Sequence, residues 1–303
     1  MALGYDGTLF ILAFDHRGSF KRKFGVGDDA TPEQMETLRD AKRLVWEGFQ
    51  QALEMGAPKD QAGILVDEEM GADIAREAKD LGVQFAMPVE KSGQPIFDFE
   101  FGEEFGEHIT DFDPTFSKVL VRWNPNDPQE EKDAQGPRLK RLGDWLRDNG
   151  RLYLFELLVP ATDEDLARVD GDKDRYDTEL RPNLTIGAIK EIQDFGVEPD
   201  IWKIEGLDDA GDCERLSETI RTGEGRDGVC AVVLGRGADD AKVDHWLQTG
   251  APVDGYRGFA IGRSIWSDEV DAFVDGSRGR EEAARNIGEN FLRFVNVYRD
   301  AQR

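Results

Sequence analysis

The 303-residue chain is predicted to be an α/β protein closed as a (β/α)8 TIM barrel, a single domain over residues 1–303, on three observations. Eight short apolar runs recur along it, each nearly continuous rather than strictly alternating, as strands buried on both faces of a parallel sheet read. Segments with helical period lie between them, and eight such alternations in about 300 residues suit this barrel. The rival, a doubly wound open sheet, calls for a GxGxxG turn after its first strand, and none is present. No 20 to 50 residue self-similarity suggests a repeat architecture.

The first run is residues 8–15 (TLFILAFD). A helix is expected from Thr31, with Pro32 at its first position, Gln34 completing a capping box, and Met35, Leu38, Leu44, Val45 and Phe49 on one stripe. The second run, 63–67 (GILVD), precedes a helix near 72–81, and the third is 83–90 (VQFAMPVE). Glu103, Glu104 and Glu107 with Phe101 and Phe105 then read as the solvated and packed faces of a helix. The fourth run, 118–123 (KVLVRW), leads through an acidic stretch at 126–136, read as a long surface loop, to a helix at 137–149. The fifth, 152–159 (LYLFELLV), is followed by a second such loop at 163–181 and a helix at 183–195. Runs at 201–205 (IWKIE), 229–234 (VCAVVL) and 258–261 (GFAI) are followed by helices at 213–222, 238–249 and 280–298.

Composition narrows the function. The 63 acidic and 38 basic residues give a net charge of −25, which repels nucleic acid and the anionic cytoplasmic membrane surface, so neither is an expected partner. No stretch approaches the roughly 18 apolar residues of a membrane span. The opening MALGYDGTLFILAFD lacks a basic region and a small-residue cleavage site, and a cytoplasmic protein is expected. Cys213 and Cys230 offer neither a disulfide framework nor metal-ligand spacing and read as small buried side chains. Only 13 of the 38 basic residues are lysine, so a lysine inside an apolar strand stands out; lysine scarcity with acidic excess also suggests salt adaptation.

A barrel of this kind places its chemistry at the C-terminal ends of its strands. The runs end in Asp15-His16-Arg17-Gly18-Ser19, Asp67-Glu68-Glu69, Glu90-Lys91, Arg122 and Asn124, Gly235-Arg236-Gly237 and Gly262-Arg263-Ser264. Lys203 interrupts an apolar run between Trp202 and Ile204, and Glu156 another between Phe155 and Leu157. A buried amine is costly unless paired or neutral, and desolvation with a second cation nearby favours the free amine that attacks carbonyls. Lys118 is that second cation if both lysines face the interior, and Glu156 is then placed as a general acid/base. The plain alternative is a buried Lys203–Glu156 ion pair.

Gly235-Arg236 and Gly262-Arg263 stand where these barrels commonly hold phosphate, since glycine admits close backbone N–H groups and arginine donates in pairs. Arg17 and Arg122 add positive charge, giving an expected cationic mouth in an acidic protein. His16 gains interest only beside Asp15, whereas His108 and His245 lack ligand spacing and read as helix or surface residues. Asp67, Glu68 and Glu69, even with Glu90, point to different faces, so no metal is expected.

Taken together, FDHRGS, ILVDEEMG, VEKSG, KVLV, LFELL, DIWKIEG and GFAIGRSIW occur in order across the chain. In this the chain resembles the class I aldolases of the tagatose-bisphosphate and sulfofructose-phosphate type. It is more similar still to the aldolase domain of inositol catabolism that acts on 2-deoxy-5-keto-gluconate 6-phosphate, through AFDHRGSF, VLVRWNP, LFELLVPAT, DIWKIEGLD, VVLGRGAD and GFAIGRSIW. The resemblance implies Lys203 as the Schiff-base residue, Glu156 as acid/base, and Lys118 and Asp15 as polar support around the imine. It implies Gly262 and Arg263 around a phosphate; the strand-end reading adds Gly235 and Arg236 there, and expects His16, Arg17, Arg122 and Glu90 around the rest of the substrate. Two departures from the tagatose type, His16 in place of glutamine and LGRG in place of a small-residue turn, count against a hexose bisphosphate, and Arg236 with Arg122 suits a substrate with a carboxylate as well as a phosphate. No cofactor is expected, and a homo-oligomer is. The alternatives are an aldolase for a ketose 1-phosphate or bisphosphate, and a non-catalytic sugar-phosphate binding barrel.

Overall fold

The structure, a computed structural model, describes residues 2–27 and 29–303. Eight strands, β1 (Leu9–Ala13), β2 (Ala62–Leu65), β3 (Gln84–Pro88), β4 (Phe116–Arg122), β5 (Leu152–Leu158), β6 (Ile201–Glu205), β7 (Cys230–Leu234) and β8 (Tyr256–Ile261), pair in chain order, all parallel. β8 returns to β1, which closes the (β/α)8 barrel expected from the sequence. Around it run α1 (Gly18–Lys23), α2 (Pro32–Glu54), α3 (Glu68–Leu81), α4 (Phe105–Phe112), α5 (Gln129–Asp148), α6 (Asp163–Arg168), α7 (Lys173–Arg175), α8 (Arg181–Asp194), α9 (Ala210–Arg221), α10 (Asp240–Gly250), α11 (Arg263–Val274) and α12 (Arg280–Ala301). Among the described residues no helix is long and apolar enough to cross a membrane.

Strand alternation makes two cores. Leu9, Ile11, Ala13, Leu65, Ala86, Phe116, Leu154, Ile201, Cys230, Val232 and Ala260 fill the barrel, while Phe10, Leu12, Phe155, Trp202 and Val233 pack outward against the helices. Inward parity, carried two residues past each of these inner positions, reaches Asp15, Lys118, Glu156 and Lys203, so the pattern that packs the floor aims the charged groups at the mouth. Tyr5 closes the floor, edge-on to Phe116 at 5.4 Å. The Gly4 N–H donates to Asp200 at 2.9 Å, and the Tyr5 N–H to the Gly228 carbonyl at 3.0 Å. Closure depends on Gly258. Its φ is 141°, it lies in a register shift between β7 and β8, and a Cβ there would come within 1.9 Å of the Leu9 carbonyl oxygen.

The capping box of α2 forms as expected between Thr31 and Gln34. Asp67, Asp209 and Asp239 cap α3, α9 and α10, which moves those helix starts from 72, 213 and 238 to Glu68, Ala210 and Asp240. Residues 126–136 were expected to be a long loop, but α5 begins at Gln129 and runs through Pro137. Pro137 and Asp133, whose carbonyl the proline cannot meet, both face solvent, which leaves that carbonyl open to water. Polar anchors rather than an apolar stripe hold this first part of the helix. Buried Gln135 accepts the Phe97 N–H and donates to the Arg122 carbonyl, both at 3.1 Å, and buried Lys132 donates to the Pro125 carbonyl at 2.6 Å. The second expected loop, 163–181, is also helical in pieces: α6, α7 and a π-helical turn (Tyr176–Leu180) that runs into α8. The short helix α1 and the longer α11 were not foreseen.

Candidate active site

The amine of Lys118 on β4 is the centre of the mouth. It lies 2.8 Å from Asp15 Oδ2, 2.8 Å from Glu90 Oε1 and 3.1 Å from Glu156 Oε2, with 1% of the residue exposed. Glu156 Oε2 also lies 3.0 Å from Lys203 Nζ, so a single carboxylate oxygen bridges the two lysines. Cross-strand register sets this up, since Glu156 on β5 is opposite Lys203 on β6 and neighbours β4 on its other side. Lys203 is 2% exposed and Glu156 5%.

Burial alone would favour the uncharged forms of all these groups, and the charges oppose it. For Lys118 burial pulls the amine down, but Asp15, Glu156 and Glu90 push it up further, and it stays protonated far above its ordinary value. Burial raises Asp15, whereas Lys118, Lys203 and His16 lower it, with a net shift well below the usual carboxylate range. Glu156 is likewise raised by burial and lowered more by Lys118 and Lys203, so it ends below its ordinary value. The ordinary state at neutral pH therefore has an ionised Glu156 beside a charged Lys118.

His16 packs edge-on against Trp266 at 5.6 Å, and the Trp266 N–H donates to the Ala13 carbonyl at 3.0 Å. Burial lowers the imidazole to about 4 against the pull of Asp15, and Arg263 and Lys203 lower it further, so His16 is neutral at pH 7. Gly262 lies beside it. A Cβ at Gly262 would meet the Ala13 carbonyl at 2.3 Å and His16 at 3.2 Å.

The four arginines divide. Arg17 turns inward, with Nη2 2.6 Å from the Glu90 carbonyl and 3.3 Å from its carboxylate, and Nη1 3.1 Å from Glu100. Arg236 is held by Asp177 at 2.6 Å and Glu205 at 3.1 Å. Arg122 and Arg263 are exposed and donate to backbone carbonyls, Gln94 at 3.2 Å and Arg236 at 3.1 Å. Carboxylates thus already neutralise two of the four cations expected to make the mouth positive. Gly235 is buried at the start of the strand-7 turn, against Ile261.

Asp67, Glu68 and Glu69 part company as their adjacency requires. Asp67 takes the amine of Lys42, Glu69 that of Lys21, and Glu68 stands 3.8 Å from His108. Among the described residues no three His, Cys, Asp or Glu side chains gather to hold a metal ion. His108 sits on α4 as a helix residue, but buried rather than on the surface, stacked on Phe101 at 3.8 Å. Burial raises the Cys213 and Cys230 thiols to about 11 and about 12, which fits inert core side chains.

Two important residues escaped the sequence reading. Glu205 shares the inward parity of Lys203 two residues on, and its buried carboxyl is raised by burial despite Arg181 and Arg236. Lys42 is fully buried on α2, donating to the Phe14 carbonyl at 2.8 Å behind Asp15. It occupies the apolar stripe four residues after Leu38 and three before Val45, a position where a lysine already signals a buried partner.

A closed (β/α)8 barrel with a lysine–carboxylate cluster at its C-terminal mouth is thus the class that fold and site define. The chain belongs to the family described as "Uncharacterized protein conserved in bacteria (DUF2090)", whose model matches residues 5–302. No curated protein matches the sequence. Among solved structures, fructose-bisphosphate aldolase from Plasmodium falciparum, in complex with TRAP and a small molecule inhibitor, is similar with a TM-score of 0.66 and 13% identity, over 97% of this chain and 91% of that one. A protein of Corynebacterium glutamicum (Brevibacterium flavum) is similar with a TM-score of 0.56 and 18% identity, over 96% and 88%. At such identities the likeness is one of fold.

Proposed function

We propose that the chain is a class I aldolase, a lyase in which Lys203 forms a Schiff base with the ketone of a phosphorylated substrate. The contact of Lys203 Nζ with Glu156 Oε2 at 3.0 Å is also what a plain ion pair would show; the observation that carries this reading is Lys118, which lies 3.1 Å from the same oxygen and supplies Glu156 with a fixed counter-charge of its own. An amine and an ionised acid/base within one hydrogen bond of each other are the minimum for imine chemistry. The barrel is shared with the fructose-bisphosphate aldolase from Plasmodium falciparum, which accords with it.

In this reading the Lys203 amine adds to the substrate ketone and water leaves, giving a protonated imine. Glu156 removes the proton of the β-hydroxyl, the bond between the α and β carbons breaks, and its electron pair enters the imine to leave an enamine on Lys203 and a free aldehyde. Protonation of the enamine and hydrolysis of the imine release the second product and restore the amine. Lys118 and Asp15 fix Glu156 and stabilise the charges of the cycle, and Arg263 with the backbone at Gly262 and Gly235 holds the phosphate.

The substrate proposed is 2-deoxy-5-keto-D-gluconate 6-phosphate, cleaved to dihydroxyacetone phosphate and malonate semialdehyde, with Arg122 facing the carboxylate end. One observation favours a second reading, a ketose 1-phosphate or bisphosphate. Arg236 is already ion-paired and so is withdrawn from any carboxylate. Assays of the two substrate types side by side separate these.

Borohydride added with dihydroxyacetone phosphate should trap a covalent adduct on the Lys203 peptide, and Lys203→Ala should lose both adduct and cleavage. Full cleavage by Lys203→Ala, or an adduct on another residue, would sink the reading.

A further inference from the structure

Arg236 adopts a backbone conformation that arginine rarely does. Its φ is 54° and that of Gly237 is 71°, and the Ala238 N–H closes the turn on the Gly235 carbonyl at 3.0 Å. Two successive positive φ values in such a turn call for Gly, Asn or Asp at the first position. A non-glycine residue held there persists only where its surroundings over-determine it, and such residues gather at ligand-binding sites.

The surroundings of Arg236 form a brace. Its Nη1 meets Asp177 Oδ2 at 2.6 Å and its Nε meets Glu205 Oε1 at 3.1 Å. The other oxygen of Asp177 accepts from Arg181 Nε at 3.1 Å, and buried Arg181 is anchored on the Gly206 carbonyl at 2.9 Å. The other oxygen of Glu205 accepts the Val159 N–H at 3.3 Å. The guanidinium is thus committed to β6 and the π-helical turn, while the Arg236 carbonyl is turned to accept Arg263 Nη2 at 3.1 Å. Arg263 lies across Gly237, where a Cβ would come within 2.9 Å of its guanidinium carbon. Among the described residues Arg263 makes no ion pair; its polar side-chain contact is this carbonyl.

We propose that Arg236 is a positioning residue: braced by Asp177 and Glu205, it sets through its backbone carbonyl the orientation in which Arg263 receives the phosphate of a phosphorylated carbonyl compound. Its own side chain does not contact the anion. The proposal rests on the reading of Arg263 as the phosphate residue.

The experiment titrates the full chain with inorganic phosphate and with dihydroxyacetone phosphate by calorimetry. Asp177→Asn leaves the Arg236 guanidinium in place and removes a competing carboxylate. A direct contact between Arg236 and phosphate predicts unchanged or tighter binding in that variant. A positioning role predicts binding weaker by about tenfold, the order of one charge-assisted hydrogen bond, with recovery in Asp177→Glu. The discrimination between dihydroxyacetone phosphate and dihydroxyacetone in borohydride trapping should fall by the same factor. Arg236→Gly, which relaxes the turn while deleting the brace, should weaken phosphate binding to the degree Asp177→Asn does. A much larger loss in Arg236→Gly, undiminished affinity in Asp177→Asn, or no phosphate affinity in the unaltered chain overturns the proposal. Failure of trapping with intact phosphate binding would instead count against the Schiff base alone. Thermal unfolding confirms that each variant is folded, and Glu205→Gln tests the same brace from its other arm.

Discussion

Lys118 and Lys203 touch the same oxygen of Glu156, yet among the described residues Lys118 has two further carboxylates, Asp15 and Glu90, and Lys203 has none. The division of labour proposed above, one lysine as a fixed charge and the other as the reacting amine, follows from that count of partners. Both lysines and Glu156 were legible in the sequence because a charge inside an apolar strand has few destinations. Glu205 is equally legible by parity, two residues after Lys203 and at the end of β6. The partners of Arg17 and Arg236 were not legible, since Glu100 and Asp177 lie in other segments whose paths only the fold determines. His108 yields a pH prediction. Burial lowers its imidazole to about 4 from the ordinary 6.5, with Asp111 opposing and Arg17 assisting. Between pH 6.5 and 4 the unfolded chain binds the proton and the folded one does not, so the stability that depends on a neutral His108 is whole above 6.5 and is lost as pH falls toward 4. Discounted for the solvent that reaches the ring, the contribution is about 1 to 2 kcal/mol at the acid end. His108→Phe keeps the stack on Phe101 and should flatten that part of the decline in urea midpoints; a variant declining as steeply as the parent would contradict this assignment.

Among the elements, the segments after β4 and β5 are tied together by one buried side chain. Asp165 is fully buried, at the start of α6, and accepts from Asn124 Nδ2 and Asn126 Nδ2, both at 2.7 Å, and from the Thr162 N–H and hydroxyl at 3.1 and 2.9 Å. These bonds outweigh burial and keep its carboxyl below the ordinary value. Asp165→Ala removes one of the two acceptors of the fully buried Asn124 amide, the other being the Pro160 carbonyl, together with the acceptor of Asn126, and should cost about 2 to 3 kcal/mol of unfolding free energy. A loss under about 0.5 kcal/mol in urea titration would show that the loops are held by other means. The same feature explains why 163–181 read as a loop: its order comes from acids bonding to backbone and amide groups, which leave no apolar period. α5 misled for the same reason, its start being fixed by Lys132 and Gln135. Elements held by apolar stripes, such as α2 and α12, were visible; elements held by polar anchors were not.

At the scale of the whole molecule, the net charge of −25 and the near-neutral mouth are separate facts. Most carboxylates lie on the outer helices, where self-repulsion is screened by salt, whereas the cluster around Lys118 is too buried for screening to reach. Raising sodium chloride from near zero to about 1 M should therefore raise the unfolding temperature. It should leave the pH profile of Lys203 trapping in place. A melting temperature indifferent to salt would mean the surface acids are already matched by the many arginine pairs, such as Arg280 with Asp40 and Glu47. The outer ring itself closes where α12 crosses α2 closely enough that a Cβ on Gly288 would lie 2.8 Å from the Gly48 carbonyl. That crossing carries Tyr298 down to Phe10 near the barrel floor, the end where Gly4 and Tyr5 are bonded to Asp200 and Gly228. Gly4–Tyr5 and the last turns of α12 therefore both lie at the underside of the barrel, and a bead, fluorophore or sensor surface coupled to a residue there would leave the mouth turned toward the solution.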